Sequence, residues 1–505
     1  MKRNYALIVI MVLLPQLLLA QTFSDAFRMS YNQIQGTARA AGMGNAFGAL
    51  GGDFTSLSIN PAGSAVYQSG EFVITPSYYI NKSDMTAGSM MFSDKDQGFA
   101  LNNVGAIGAF KTNRSEAGII SVNYGVGYNR LADYSSTAFA NFNGSSLSYL
   151  DDIVNYANTE YQNNDPLTQS YLGQDIINIQ YRDWPTKLAW DTYLINPEVD
   201  NQNNEIDGRY TNVLLPNETV NQRKNFSQSG HLDEYLFNLS LNFNHKFYLG
   251  STIGIHDMSY HNNSMYEELL PENSNFQYYN NYFMQGHGFN LKLGAIYRPI
   301  PEVRLGLAFH TPTYYQIDEE STLRMDSYLT WENTPSHSSD GPNRYNYDFN
   351  TPMKVVMSGA LVFAKRGLVS VDAEYMDYAS MRFRRGGSGS DNFNDLNDYM
   401  GTYFKSVVNL HVGAEFKLTD QFAVRGGYQS YGNPFKSELN QQTSLTDNVN
   451  VLSAGFGYTV NAFSLNVAYT NSTSKMLEGN EQPNYYQMPR ENNNQNVLLT
   501  LGFRF

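Results

Sequence analysis

Residues 237–247 read FNLSLNFNHKF. One face of this stretch, if extended, carries Phe237, Leu239, Leu241, Phe243, His245 and Phe247, and the other carries Asn238, Ser240, Asn242, Asn244 and Lys246. Successive side chains of a strand point to opposite faces, so the segment has one greasy side and one wet side. A soluble sandwich can show this once. Here the pattern returns, with Phe289, Leu291, Leu293, Ala295 and Tyr297 against Asn290, Lys292 and Gly294. It returns again with Val303, Leu305, Leu307 and Phe309 against Arg304, Gly306, Ala308 and His310, and with Phe463, Leu465, Val467 and Tyr469 against Ser464, Asn466 and Ala468.

Such runs predict fourteen strands, within two, near 71-81, 101-111, 117-130, 233-246, 249-261, 285-298, 302-312, 351-364, 367-379, 406-418, 421-432, 449-460, 462-475 and 494-505. Most match the roughly 9 to 11 residues that a tilted strand needs to cross hydrocarbon. Their connections alternate between short turns (FYL, RPIPE, AKRG, LTDQ, VNA) and long polar segments (82-100, 131-232, 262-284, 313-350, 380-405, 433-448, 476-493). A transmembrane barrel with short turns on one side and long loops on the other produces this alternation, and a soluble sandwich does not. The expected fold is therefore an all-β transmembrane barrel. The segment 131-232 is too long for a plain loop and is expected to hold structure of its own. The last strand, NVLLTLGFRF, ends on Phe505, as barrels handled by the outer-membrane insertion machinery commonly do.

The N-terminus points to export. Lys2 and Arg3 precede an apolar stretch from Ala6 to Ala20, which is interrupted by Pro15 and Gln16 and ends in Leu19-Ala20 before Gln21. That is the pattern of a signal peptide, residues 1-20, and the stretch is short of the roughly 20 residues of a helical span. The chain has no Cys, which excludes a lipid anchor on Cys, disulfides and thiolate metal sites. The mean hydropathy of -0.43 would suit a soluble protein, but a barrel hides its apolar residues at every second position. Tyr 38 and Phe 30 exceed what a soluble core requires and suit aromatic girdles. A net charge of -14 argues against nucleic acid as a partner.

Residues 21-67 do not alternate. They contain GTARAAGMGNAFGALGGDFTSLSINPAG, small residues suited to tight backbone packing in a confined space. A barrel of about fourteen strands is wider than side chains can fill, so this segment is expected to plug the lumen. A phosphate-loop reading of the glycines lacks the preceding strand and the Lys-Ser/Thr pair. With Gly36, Ala38, Arg39, Gly42, Gly44, Ala46, Phe47 and the run Asn60-Pro61-Ala62-Gly63, the segment resembles the hatch of the FadL family, outer-membrane transport proteins for long-chain fatty acids and related hydrophobic compounds. LGLAFHTPTYY (305-315), DAEYMDYASMRF (372-383), VGAEFKLTDQFAVRGGYQSYGNPF (412-435) and the last strand extend the resemblance over the mature chain. GGDFTSLSINPAG departs from the family, which more often has paired acidic residues there, and the 131-232 insertion has no counterpart to align.

The resemblance implies a hatch at 21-67 and a barrel at 68-505 in the Gram-negative outer membrane, a monomer in contact with outer-membrane lipids. It implies passive uptake of hydrophobic small molecules, with capture among outer loops, a pocket near the hatch and sideways release into the bilayer. It implies no enzyme activity, cofactor or metal. Relatives are also labelled haemin receptors, and a haem ligand would need a loop His or Tyr on the iron. A structural or adhesive surface protein, with a lumen filled by side chains, is the other alternative. For an enzyme, His245, His256 and His261 lack an accompanying nucleophile motif, and the densest metal candidates, His256, Asp257 and His261, are split by alternation between two faces.

Three sets of site residues are expected. Family members place an aromatic near the mature terminus, so Phe23 is expected to thread into the barrel and close an apolar pocket against Asn60, Pro61, Ala62 and Gly63, a turn that Pro61 and Asn60 favour. Inward Lys292, Arg304 and Arg425 supply lumen cations for an anionic head group, unless Asp372, Glu374 and Glu415 neutralise them in an ordinary ion network. FadL-like proteins kink their third strand inward, and Gly125 and Gly127, beside Tyr124 and Tyr128, mark the comparable place for a lateral gate. The alternative is that these glycines make room for neighbouring aromatics, as Gly455 and Gly457 would.

Overall fold

The computed structural model describes residues 23–87, 90–112, 118–162, 167–332, 336–363, 366–385, 393–436, 444–478 and 488–505. The expected signal peptide, 1-20, lies outside the described residues. Fourteen strands cross the membrane: β1 (Glu71–Ala87), β2 (Met90–Lys111), β3 (Ile119–Asp133), β4 (Val220–Phe243), β5 (Phe247–Leu269), β6 (Asn275–Ile300), β7 (Val303–His310), β8 (Lys354–Phe363), β9 (Gly367–Asp377), β10 (Ser406–Lys417), β11 (Phe422–Tyr431), β12 (Val449–Val460), β13 (Phe463–Glu478) and β14 (Met488–Arg504). Each pairs antiparallel with the next, and β1 pairs with β14 from Glu71↔Arg504 to Met85↔Arg490, so the sheet closes on itself. The Phe505 amide donates to the Gly70 carbonyl at 3.0 Å, and Arg504 pairs with Glu71 at 2.9 Å, fastening the seam at the periplasmic rim.

Burial is inverted relative to a soluble protein. On β4, Tyr235, Phe237 and Leu239 are exposed at 46%, 53% and 57%, whereas Asn238 and Ser240 are buried at 5% and 1%. Lipid must cover the apolar outer band. Aromatic pairs border that band on both sides. Phe247–Tyr297, Phe422–Tyr458 and Phe463–Phe503 lie near the short turns, and Tyr78–Phe99, Tyr128–Tyr235 and Phe289–Tyr314 lie near the long segments.

Two expected boundaries are corrected. The 313-350 segment is largely strand: Tyr314–Tyr328 and Ser336–Asn350 form a hairpin in full register from Tyr314↔Asn350 to Tyr328↔Ser336, and its first arm also pairs with the outer half of β6. β4 likewise begins at Val220 rather than 233. The wall therefore rises beyond the lipid. Alternation persists there, with Tyr315, Ile317, Glu319, Leu323 and Met325 buried, but Gln316 and Asp318 replace apolar residues on the outer face, which conceals the strand from a search for apolar alternation.

Inside 131-232, the strand Ser136–Ser145 pairs with the outer half of β4. Helices Tyr149–Gln162 and Trp184–Asp191 and a hairpin of Ile195–Val199 with Glu205–Asn212 follow. They share a core containing Leu150, Trp184, Leu188, Tyr210, Phe276 and Leu323, which caps the extended strands.

Candidate functional site: a plugged lumen with an apolar chamber above it

The plug owes its shape to small residues. Helix α2 (Ala38–Gly42) is capped by Thr37, whose Oγ1 accepts from the Ala40 amide at 3.2 Å. Gly44 follows in the left-handed region (φ +59°), and a Cβ there would lie 2.9 Å from the Tyr428 amide nitrogen. The wall gives way in return: a Cβ on Gly413 would lie 2.1 Å from the Met43 carbonyl oxygen, and one on Gly427 2.1 Å from the Gly44 nitrogen. Gly455 meets Gly42, so it makes room for the plug rather than for aromatics. Helix α3 (Ser56–Ile59) leads into the turn, where Asn60 Oδ1 accepts from the Ala62 amide at 3.1 Å and Nδ2 donates to Gly48 O (2.6 Å) and to Ala295 O of β6 (3.2 Å). Gly250 and Gly294 admit the Asn60-Pro61 edge, and Ala62 and Gly63 are buried behind it.

Charge holds the plug to the wall. Arg39 grips Glu415 through two bonds, Nε to Oε2 and Nη2 to Oε1, each 3.0 Å, and Arg425 Nε reaches Glu415 Oε2 at 2.6 Å. Lys292 pairs with Glu234, which also accepts from Ser58 Oγ at 2.5 Å, and Arg304 donates to the Leu50 carbonyl. Lys354 pairs with Glu374 at 2.9 Å, and Asp372 accepts from the Gly48 amide at 2.8 Å. Lys292 and Arg425 are thus consumed by buried carboxylates, and Arg304 by a plug carbonyl. This corrects their placement as head-group receptors: a buried cation needs its partner. Glu234 was the residue missed, although its place on the wet face of β4, in phase with Asn238 and Ser240, was readable.

Above the plug lies an apolar chamber. Tyr260, Met284, Tyr315, Tyr347, Phe349, Met376, Tyr378, Met381, Phe383, Phe404, Tyr431 and Phe435 belong to one buried cluster, and helix α1 (Phe23–Ser30) sits in it. The helix buries Asp25, Ala26, Met29 and Ser30, positions spaced as one helical face. Phe27 packs on Phe435 (5.0 Å between ring centroids) and Tyr31 (4.8 Å), and Tyr31 on Tyr431 (5.8 Å). Arg28 pairs with Asp25 and stacks 3.7 Å from the Tyr260 ring centroid. Phe23 lies against Tyr403 (3.9 Å) and Phe404, beside the outer helix Asn394–Tyr403. The expectation that Phe23 packs against Asn60–Gly63 is corrected. The helix rises away from the plug, and Phe23 closes the outer end of the chamber instead. Between helix and plug a pocket of about 20 Å³, lined by Asn32, His310, Lys354, Asp372 and His411 among others, has room for about one water.

Next to α1 sits Glu319, on the outer strand Tyr314–Tyr328, beyond the girdle pair Phe289–Tyr314. It accepts from Tyr282 at 2.7 Å and from Tyr347. Burial, with the neighbouring Asp25 adding to it, pushes its carboxyl up to about 8.

The third strand is paired where a break was expected. β3 meets β2 without interruption from Lys111↔Ser121 to Asn103↔Asn129, and it meets β4 through both glycines. The gate at Gly125 and Gly127 is therefore corrected. The two glycines face inward to admit the plug, since a Cβ on Gly125 would lie 2.5 Å from Leu57 Cδ2 and one on Gly127 2.5 Å from Phe54 Cζ. Tyr124 and Tyr128 face outward, Tyr124 stacked on Phe110 and Tyr128 beside Tyr235. The ladder ends just beyond, at Asn103↔Asn129: β2 continues paired to β1, and β3 to β4. There the connector between α1 and the plug takes β2's place, as the Gln33 amide donates to Leu131 O (3.0 Å) and the Gln35 amide to Arg130 O (3.1 Å). Tyr128 Oη spans the seam to Leu101 O at 3.2 Å, with Phe99 and Leu101 exposed outside it.

Among the described residues, no group of three His, Cys, Asp or Glu could hold a metal ion. A closed, even-stranded barrel with an apolar band, two aromatic girdles and a plug made from its own N-terminal segment defines a plugged transmembrane barrel of the outer-membrane type. The same fold is found in solved structures. A Pseudomonas aeruginosa FadL homologue matches with a TM-score of 0.53 and 14% identity, over 94% of this chain and 100% of that one. The toluene transporters TbuX of Ralstonia pickettii (TM-score 0.50, 12% identity, 93% of this chain and 98% of that one) and TodX of Pseudomonas putida (0.50, 10%, 94% and 100%) also match. No family model and no curated protein matches the sequence.

Proposed function

We propose that the chain is a passive outer-membrane channel for hydrophobic small molecules, such as long-chain fatty acids or aromatic hydrocarbons, with lateral release into the membrane. The observation that carries this reading is the chamber itself. It is walled by aromatic and Met side chains, lies above the N-terminal segment packed in the lumen, and is filled by a short helix of the same chain. An apolar ligand that displaces α1 recovers the contacts the helix gives up. The fold shared with two toluene transporters supports the same reading.

The seam above Asn103↔Asn129 supports lateral release. Passing an alkyl chain into water costs roughly 0.8 kcal/mol per CH₂, a cost that exit into lipid avoids. Gln33–Gln35 covers β3 at that point, so displacement of α1 pulls on the residues that close the seam. Mass spectrometry of what co-purifies with gently solubilised protein tests the reading. An apolar or amphipathic molecule, enriched in a variant lacking residues 23–31, is expected. A lumen that holds no such molecule in either form is the contrary result.

A further inference from the structure

Helix α1 carries two charged side chains, Asp25 and Arg28, one turn apart and paired with each other. Burying charge in an apolar chamber is costly unless the surroundings compensate it. The wall does so with aromatic rings. Arg28 lies over the Tyr260 ring, its guanidinium carbon 3.7 Å from the centroid. Tyr134 stands edge-on to Tyr260 (5.6 Å between centroids, 90°), Tyr282 flanks Tyr260 at 6.0 Å, and both phenols lie within reach of the Arg28 charge. Tyr134 Oη also donates to the Arg28 carbonyl at 3.2 Å, which fixes the helix at this point. One guanidinium thus meets three phenol rings. The face of a ring attracts a cation, and more strongly where water is excluded.

The same wall supplies a counter-charge. Glu319 is 5% exposed; its Oε1 accepts from Tyr282 (2.7 Å) and from Tyr347, and its Oε2 is buried with no hydrogen-bond partner among the described residues. The charges of Arg28 and Asp25 both act on it. Lumen cations of neighbouring strands are held elsewhere, Lys354 by Glu374, Lys292 by Glu234 and Arg130 by Asp233. The outer segments 163–166, 386–392, 437–443 and 479–487 lie outside the described residues, and their sequence adds Asp165, Asp391, Glu438 and Glu481 but no Lys or Arg.

When α1 leaves, Asp25 and Arg28 leave with it. Three phenols and the Glu319 carboxylate then remain on one side of an otherwise apolar chamber.

We propose that this cage of Tyr134, Tyr260, Tyr282 and Glu319 is a binding site for the cationic head of an amphiphile, such as a quaternary ammonium or a protonated amine, and that Arg28 holds the place of that head while α1 is docked. The apolar tail lies on Tyr378 and Phe435, the rings on which Phe27 rests in the docked helix. The proposal rests on the transport reading above and narrows its cargo, since the carboxylate of a fatty acid placed here would meet Glu319 instead of a cation.

The test uses dansyl-labelled undecyl chains that differ only in the far end, trimethylammonium, hydroxyl or carboxylate. They are titrated by fluorescence against the full-length protein in nonionic micelles at about 0.5 M salt, which screens the diffuse charge of a protein with net charge -14 but not a buried cage. The ammonium chain is expected to bind most tightly and the carboxylate chain least. Glu319→Gln is expected to weaken the ammonium chain by roughly tenfold and to relieve the penalty on the carboxylate, and Tyr260→Leu to weaken the ammonium chain by a similar factor. The alcohol reads the apolar chamber alone, so its binding in each variant shows that the chamber is intact. An ammonium chain no tighter than the alcohol in the native protein, or an ammonium preference that survives in either variant, overturns the cage and leaves the transport reading standing. Saturable binding of none of the chains overturns both.

Discussion

Phe27→Ala separates a helix that competes with ligand from one that forms part of the ligand site. The Phe27 ring lies 5.0 Å from Phe435, 4.8 Å from Tyr31 and 6.3 Å from Tyr378, measured between centroids. Truncating a fully buried Phe to Ala costs about 3–5 kcal/mol. Phe27 is only partly buried, so a loss of about 2 kcal/mol from α1 docking is reasonable. That corresponds to roughly a 30-fold rise in the undocked fraction. Two readouts should then rise together. Hydrogen exchange of α1 amides, such as that of Tyr31, which donates to Phe27 O at 2.8 Å, should quicken by roughly that factor. The apparent affinity for an apolar fluorescent probe should rise, because ligand binds the undocked form. Faster exchange accompanied by unchanged or weaker probe binding would refute the idea that α1 occupies the ligand's place.

Three further outcomes are expected. Glu415→Gln leaves the Arg39 and Arg425 guanidinium groups without their shared counter-charge, a loss on the scale of 3–5 kcal/mol for a broken buried pair; single-channel recordings should show openings that the native protein lacks, and a lumen as silent as before would discount the lock. Gly125→Val together with Gly127→Val drives side chains into Leu57 and Phe54, costing about 1–3 kcal/mol at each site, and should lower the temperature at which the barrel unfolds on a heat-modifiability gel; no shift would mean the plug does not rest there. Burial, with Asp25 of α1 beside it, raises the Glu319 carboxyl to about 8, so it holds its proton more tightly with α1 docked than free. Docking should therefore be stronger at acid pH and weaken as pH rises through about 8. A spin label at Ser24 reports the helix's mobility across that range, and Glu319→Gln should flatten the profile; a flat profile in the native protein would contradict the assignment.

The barrel was legible because a lipid-facing wall must alternate. Phe237, Leu239 and Leu241 opposite Asn238 and Ser240 leave little choice of fold. The plug was legible from its small residues, and Asn60-Pro61 forms the turn that its composition favours. Contacts between distant segments were not legible. Whether Lys292 is a receptor or half of an ion pair depends on Glu234, which lies 58 residues away in sequence. Gly125 and Gly127 look like weak points in a strand until Phe54 and Leu57 are seen to fill the space above them. The seam closed by Gln33–Gln35 leaves no trace in the local pattern, since its bonds run from main chain to main chain.

Protein-dependent uptake by intact Gram-negative cells, whose outer membrane holds back hydrophobic solutes, tests the central claim most directly. Cells making this protein and cells lacking it are given a labelled long-chain hydrophobic probe and a labelled sugar of similar mass. The account predicts that the protein speeds uptake of the hydrophobic probe and leaves that of the sugar unchanged. Uptake of the probe at the same rate in both strains, or equal acceleration of the sugar, would contradict it.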